Sequence, residues 1–156
     1  MLTITIPGAN ALQIEHLVLD FNGTLACDGV LLEGVAQCLK RLSEQLQIHV
    51  VTGDSFGSAR QELHGLPCEL VILGPTDQGQ AKLEYVKRLG VSVTACVGNG
   101  RNDFPMMQAA ALGIAVVEGE GASSQTLAAA AVVVRHAQDA LGLLLEPRRL
   151  TATLRT

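Results

Sequence analysis

The strongest chemical signal in the chain is a run of six residues, Asp20-Phe21-Asn22-Gly23-Thr24-Leu25. An apolar run, Leu17-Val18-Leu19, ends at Asp20, and the small, turn-prone Asn22, Gly23 and Thr24 follow. This pattern predicts a carboxylate delivered at the C-terminal end of a buried strand, which is where open α/β sheets bind their ligands. Beside it, a glycine N–H can approach an oxyanion and a threonine adds a hydroxyl donor, an arrangement suited to covalent phosphoryl transfer through an aspartyl phosphate. The plainer reading is an Asx turn that closes a strand.

Three further stretches place similar chemistry at strand ends. Thr52 and Gly53 follow the β-branched run Ile48–Val51 and offer a hydroxyl and backbone N–H groups to a phosphate oxygen. Lys82 falls near the start of a helix and offers a point charge to a phosphate or to the nucleophilic carboxylate. The loop Gly98-Asn99-Gly100-Arg101-Asn102-Asp103 supplies Asn99 and Asp103, oxygen ligands of the kind Mg²⁺ takes. Each alone is weak: Thr-Gly after a strand is a turn, a helical lysine is usually solvated, and a glycine loop is common. Together and in this order they point to phosphoryl transfer from a small phosphorylated substrate.

The elements that must position these residues alternate. Leu2–Ile6 and Ala11–Ile14, joined by Pro7-Gly8-Ala9-Asn10, read as a hairpin that extends or covers a sheet edge. Asp28-Gly29 between apolar neighbours reads as a second hairpin, a small β flap over Asp20. A helical stripe (Val35, Cys38, Leu39, Leu42, Leu46) precedes the strand at 48–51. Then come a helix from Ser55 to His64, a strand at 69–73, a helix from Asp77, a strand at 91–97 and a helix through 106–112. A strand at 114–117, a short helix, a strand at 132–134 and a helix at 139–145 follow. Strands alternating with helices imply right-handed crossovers and a three-layer α/β/α, Rossmann-like domain on a parallel sheet.

The 156 residues suit one domain, 1–156, with a full core. Hydrophobic residues make up 48%, glycines number 16 and aromatics are 3%, as in an Ala/Val/Leu-rich, glycine-turned α/β protein. Eleven basic against 15 acidic residues give a formal charge of −4, so nothing favours nucleic acid or an anionic membrane. No apolar run approaches a membrane span. The N-terminal stretch reads as a strand rather than a signal peptide. Cys27, Cys38, Cys68 and Cys96 have no metal-ligand spacing and read as buried thiols of a cytoplasmic protein, and the four histidines read as surface or edge residues.

With these motifs in place, the chain from Leu17 to Leu145 resembles the haloacid dehalogenase superfamily of aspartate-nucleophile phosphotransferases. Within it the chain looks most like the phosphorylation domain of P-type ATPases, through Val51-Thr52-Gly53-Asp54, the helix Lys82-Leu83-Glu84-Tyr85-Val86 and GNGRNDFPM. The resemblance implies that Asp20 is the nucleophile and that Thr52 and Lys82 are its phosphate and charge partners. It implies that Asp20, the Asn22 carbonyl and Asn99 hold Mg²⁺ with support from Asp103, and that the core strands run 3-2-1-4-5-6. Only 32 positions separate Asp20 from Thr52, which leaves room for a flap and one helix but no cap domain, so a neighbouring subunit is expected to cover the open site.

Two departures stand out. Relatives usually carry an acid/base Asp two residues after the nucleophile, where this chain has Asn22. Their metal-loop acid is here Asn99. Loss of a positioned acid/base costs about 10²–10⁴-fold, which predicts a slow phosphatase unless Asp54 or Asp28 substitutes. The competing reading keeps the fold and drops catalysis, leaving a pseudo-phosphatase that binds phosphate or a partner. A receiver-type signalling module is disfavoured, because its phosphoacceptor follows the third strand. Neither Gly98-x-Gly100 nor Gly119-x-Gly121 completes a dinucleotide fingerprint.

Overall fold

The computed structural model describes residues 1–156. Strand β3 (His16–Leu19) lies at the centre of a six-stranded, wholly parallel sheet. On one side are β6 (Gln47–Thr52) and β7 (Glu69–Ile72); on the other are β8 (Thr94–Gly98), β9 (Leu112–Val116) and β10 (Val132–Val134). Counted along the chain, the core strands run 3-2-1-4-5-6, as expected. Two small antiparallel pairs lie outside the sheet, β1 (Leu2–Ile4) with β2 (Leu12–Ile14) and β4 (Ala26–Cys27) with β5 (Val30–Leu31). No separate cap is present.

Side chains alternate across the sheet, as the two-residue period of a strand requires. Leu17, Leu19, Ile48, Val50, Ala95 and Val97 face the larger core, whose helices are α1 (Val35–Leu42), α6 (Ala137–Leu145) and α7 (Pro147–Leu154). Val18, Val51 and Cys96 face the opposite layer, where they meet Tyr85, Val86 and Met106 from α3 (Gln78–Leu89) and α4 (Phe104–Ala109). The crossover helix thus changes face where the chain passes from the β7 edge back to β8. Between β3 and β8 lies the switch point, the place where such sheets open a ligand crevice.

Several expectations need correction. The N-terminal hairpin neither extends nor covers a sheet edge. It sits beneath the N-terminal ends of the central strands, where Glu15 N–H donates to Val93 O at 2.8 Å and Gln47 N–H donates to Glu15 O at 2.9 Å. Helix α7, which the pattern missed, starts at Pro147 and braces this hairpin, with Thr151 donating to Thr5 O at 2.8 Å. The helix expected from Ser55 shrinks to α2 (Ala59–Glu62), because Asp54 (φ 51°) and Gly57 (φ 69°) hold the left-handed region and bar a helix through the loop. Val91–Val93 forms a 3₁₀ turn, and β8 starts only at Thr94. Leu112 opens β9 instead of closing α4; one residue on, Gly113 packs so closely on Met107 that a Cβ would collide with it. His49 is buried on the α3 side, 2.9 Å from the Tyr85 hydroxyl and 3.2 Å from His16. Burial there pushes its pKa down, opposed in part by Glu69.

Candidate active site

Strand register brings the motifs to one end of the sheet. Leu19 pairs with both Val50 and Val97, so Asp20 follows at the level of Val51 and Gly98, with Thr52 and Asn99 one residue beyond on either side. The flap β4–β5 starts directly after, and its Asp28-Gly29 turn has φ of 51° and 77°, the two positive values that a type I′ hairpin demands.

Lys82 is wholly buried on the inward face of α3. Its ammonium donates to Asp20 Oδ1 and to Asp103 Oδ1, each at 2.7 Å. Asp103 Oδ2 accepts the Asn99 and Gly100 N–H groups at 3.0 and 2.9 Å. Both Asp103 oxygens are therefore engaged, and its place is that of an anchor for Lys82 and the loop. Two carboxylates thus share one ammonium in a dry setting. Burial first, and the Asp103 charge second, push Asp20 up to about 7 against the pull of Lys82. For Lys82 burial acts downward, but the two carboxylates outweigh it and hold the ammonium above its ordinary value. Lys82→Met should leave two uncompensated buried carboxylates and cost about 3–5 kcal/mol of stability. Urea unfolding at pH 7.5 measures it, and a loss under about 1 kcal/mol would show that the triad does not hold this layer.

Around Asp20 lie donors with no protein acceptor. The N–H groups of Asn22 and Gly53 donate to nothing in the fold. Thr52 Oγ1 accepts the Asp54 N–H at 2.9 Å, which leaves its own hydrogen free to donate. Gly23 and Thr24 are placed differently from the phosphate-facing roles that the sequence suggested. The Gly23 N–H donates to Ala26 O at 2.8 Å, and the buried Thr24 hydroxyl donates to Asn99 Oδ1 at 3.1 Å. Gly23, at φ 78°, also lies so near Asn99 that a Cβ would strike its side chain. Asn99 Nδ2 donates to Gly121 O at 3.0 Å. The one buried side-chain polar atom without a partner is Asn22 Oδ1.

Asp54 Oδ1 accepts the Ala59 N–H at 3.0 Å and so caps α2, while Asp28 is exposed at the flap tip, its N–H on Glu120. Sequence reasoning missed Gln78, which packs against Gly53 and bonds Asn102. Its spacing of four from Lys82, one helical turn, was the available signal.

The oxygen set fits a hard cation. Asp20 keeps one oxygen clear of Lys82, Asn99 Oδ1 keeps a lone pair beyond the Thr24 bond, and the Asn22 backbone carbonyl accepts no N–H in the fold, with no sulfur or imidazole among them.

The fold is a 3-2-1-4-5-6 parallel sheet that carries an acid at the end of its central strand, tied to a buried lysine and flanked by free N–H donors. Solved structures of phosphatases share it. The 3-deoxy-D-manno-octulosonate 8-phosphate phosphatase of Moraxella catarrhalis, in complex with magnesium, phosphate and KDO, superposes with a TM-score of 0.72 at 20% identity over 89% of this chain and 90% of that one. The cobalt-bound enzyme of Haemophilus influenzae gives 0.72 at 19% identity over 92% and 94%. The fold is therefore that of these phosphatases.

In sequence, an uncharacterized protein of Methanocaldococcus jannaschii is 48% identical over 59 residues, 38% of this chain and 63% of that protein. The probable copper-transporting ATPase PacS of Synechocystis is 30% identical over 122 residues, 77% of this chain and 15% of that protein. The chain thus spans less than two thirds of either relative. No family model matches it. No helix is long and apolar enough to cross a membrane.

Proposed function

We propose that this chain is a Mg²⁺-dependent phosphatase or phosphotransferase acting on small phosphorylated substrates through an aspartyl phosphate on Asp20. The observation that carries this reading is the buried Asp20–Lys82–Asp103 triad set among unpartnered donors. One carboxylate oxygen of Asp20 attacks phosphorus, and the leaving group departs with the bonding electron pair. The Thr52 hydroxyl and the N–H groups of Asn22 and Gly53 take the phosphoryl oxygens as charge builds on them. Water then attacks the aspartyl phosphate and releases inorganic phosphate. Mg²⁺ held by Asp20, the Asn22 carbonyl and Asn99 would supply charge neutralisation of the transferring group.

Asn22 cannot give or take a proton, so substrates whose leaving groups depart unaided, such as acyl and aryl phosphates, are favoured. The four unpaired cysteines suit a reducing, cytoplasmic setting. A second copy of the chain covering the open site belongs to the same reading, since Val30 on the flap and Phe56 beside Gly29 leave apolar surface at its rim. Incubation with Mg²⁺ and acetyl phosphate or p-nitrophenyl phosphate, followed by intact mass, tests the proposal. A transient gain of one phosphoryl group on Asp20 is expected. No phosphoryl adduct and no release of phosphate across the panel would leave a phosphate-binding module without catalysis, the reading that Asn22 and Asn99 would then favour.

A further inference from the structure

We infer that Gln78 is a substrate-contacting specificity residue, its carboxamide forming the wall of the phosphoryl site opposite the flap. The inference rests on the phosphoryl-transfer reading above. Gln78 opens α3 and lies four residues before Lys82, so both side chains leave the helix on the same face, Lys82 reaching the nucleophile and Gln78 the mouth one turn above. There the carboxamide lies against Gly53, so close that a Cβ on Gly53 would overlap its nitrogen and oxygen. Gly53 is the residue whose N–H has no protein acceptor, so a phosphoryl oxygen taken by that N–H would come up beside the Gln78 amide.

The amide is also held in place. Its Oε1 accepts Asn102 Nδ2 at 3.2 Å and its Nε2 donates to Gly74 O at 3.2 Å. With the oxygen turned toward Asn102, one Nε2 hydrogen remains without an acceptor. The ligand chemistry that this suits is an anionic phosphoryl oxygen.

The full chain with Mg²⁺ is the test material, with inorganic phosphate as the probe in calorimetry and p-nitrophenyl phosphate as the substrate in steady-state kinetics. Gln78→Glu keeps an oxygen for Asn102 but sets a carboxylate where the donor stood; phosphate binding should weaken about tenfold or more, and the loss should shrink as salt is added. Gln78→Ala should weaken it about fivefold, with KM rising more than kcat falls. Asn102→Ala removes the tether yet keeps the donor, and should change phosphate affinity less than either.

A purely structural role would lower the thermal midpoint of all three variants and leave phosphate affinity intact, and that result overturns the inference. If the parent binds phosphate without turning substrate over, the Gln78 comparison still decides by calorimetry while the catalytic reading falls. If the parent hydrolyses substrate and the Gln78 variants match it in phosphate affinity, only the Gln78 inference falls. A parent that binds no phosphate overturns both.

Discussion

Asp20→Asn should abolish phosphoryl transfer and at the same time make the metal-free protein more stable. The first effect follows from the nucleophile: an amide does not attack phosphorus as a carboxylate does, so neither adduct nor turnover should remain. The second follows from the triad. Two carboxylates share one ammonium in a buried site, and Asp20 is pushed from its ordinary 3.8 up to about 7. With the folded pKa above the unfolded one, the folded state binds the extra proton between those values, so this group's contribution is full below about pH 4 and lost as pH rises through 7. Asparagine can still accept from Lys82 but carries no charge to desolvate. The stabilisation of the variant over the parent should therefore grow from pH 4 to pH 7 and level off above, at no more than about 4 kcal/mol, each pH unit being worth about 1.4 kcal/mol. Thermal melts in chelator across that range measure it. A variant less stable than the parent at pH 8 would overturn the electrostatic account, and one that keeps turnover would overturn the nucleophile.

The other large effect belongs to Asn22→Asp. A carboxyl at this position would be half-buried, next to Asp20, and without the hydrogen-bond donors that normally hold an acid ionised, since Asn22 Oδ1 has no partner. Those surroundings raise its pKa toward neutrality, as an acid/base group requires. Decay of the aspartyl phosphate should speed up by about 10²–10⁴-fold, toward the lower end because a second charge enters a site not built for it. The preference for good leaving groups should flatten too, because a proton can now be delivered to poor ones. Single-turnover decay of the phosphoenzyme in the two proteins is the measurement. Equal rates would mean that Asn22 does not stand where the proton is needed, since Asp54 is tied to Ala59 and Asp28 faces solvent.

What could be read from the chain and what could not divide along a physical line. The flap and the strand-end positions of Asp20, Thr52 and Asn99 were legible because each is local, an apolar run closed by small polar residues, whereas the strand order came from the family resemblance. The partners of those residues were not, because they are set by which helix crosses which face. Nothing near Asp103 in the sequence says that it reaches Lys82 rather than a metal, and nothing near Thr24 says that its hydroxyl turns to Asn99. His49 in an apolar strand looked like a surface residue, yet its neighbours Tyr85 and His16, distant in sequence, satisfy it in the core. Helix α7 and the seat of the N-terminal hairpin beneath the sheet were missed for a related reason: short segments owe their placement to each other, not to their own propensity.

The two helical layers are unequal, and this bears on how the molecule breathes. On the α1–α6 side 29 buried apolar residues form one body; on the α3–α4 side the cluster has six. Sub-global opening follows the weaker packing, so the least costly excursion from the native state lifts α3 and α4 together, and amide protons of α3 exchange ahead of those of the opposite layer. Lys82 and Gln78 both ride on α3, so the excursion withdraws the charge and the amide from the strand ends in one movement. Occupancy of the phosphoryl site would oppose that movement by bridging α3 to β6, so the slow fluctuation of the thin layer becomes a direct reporter of whether the site is filled.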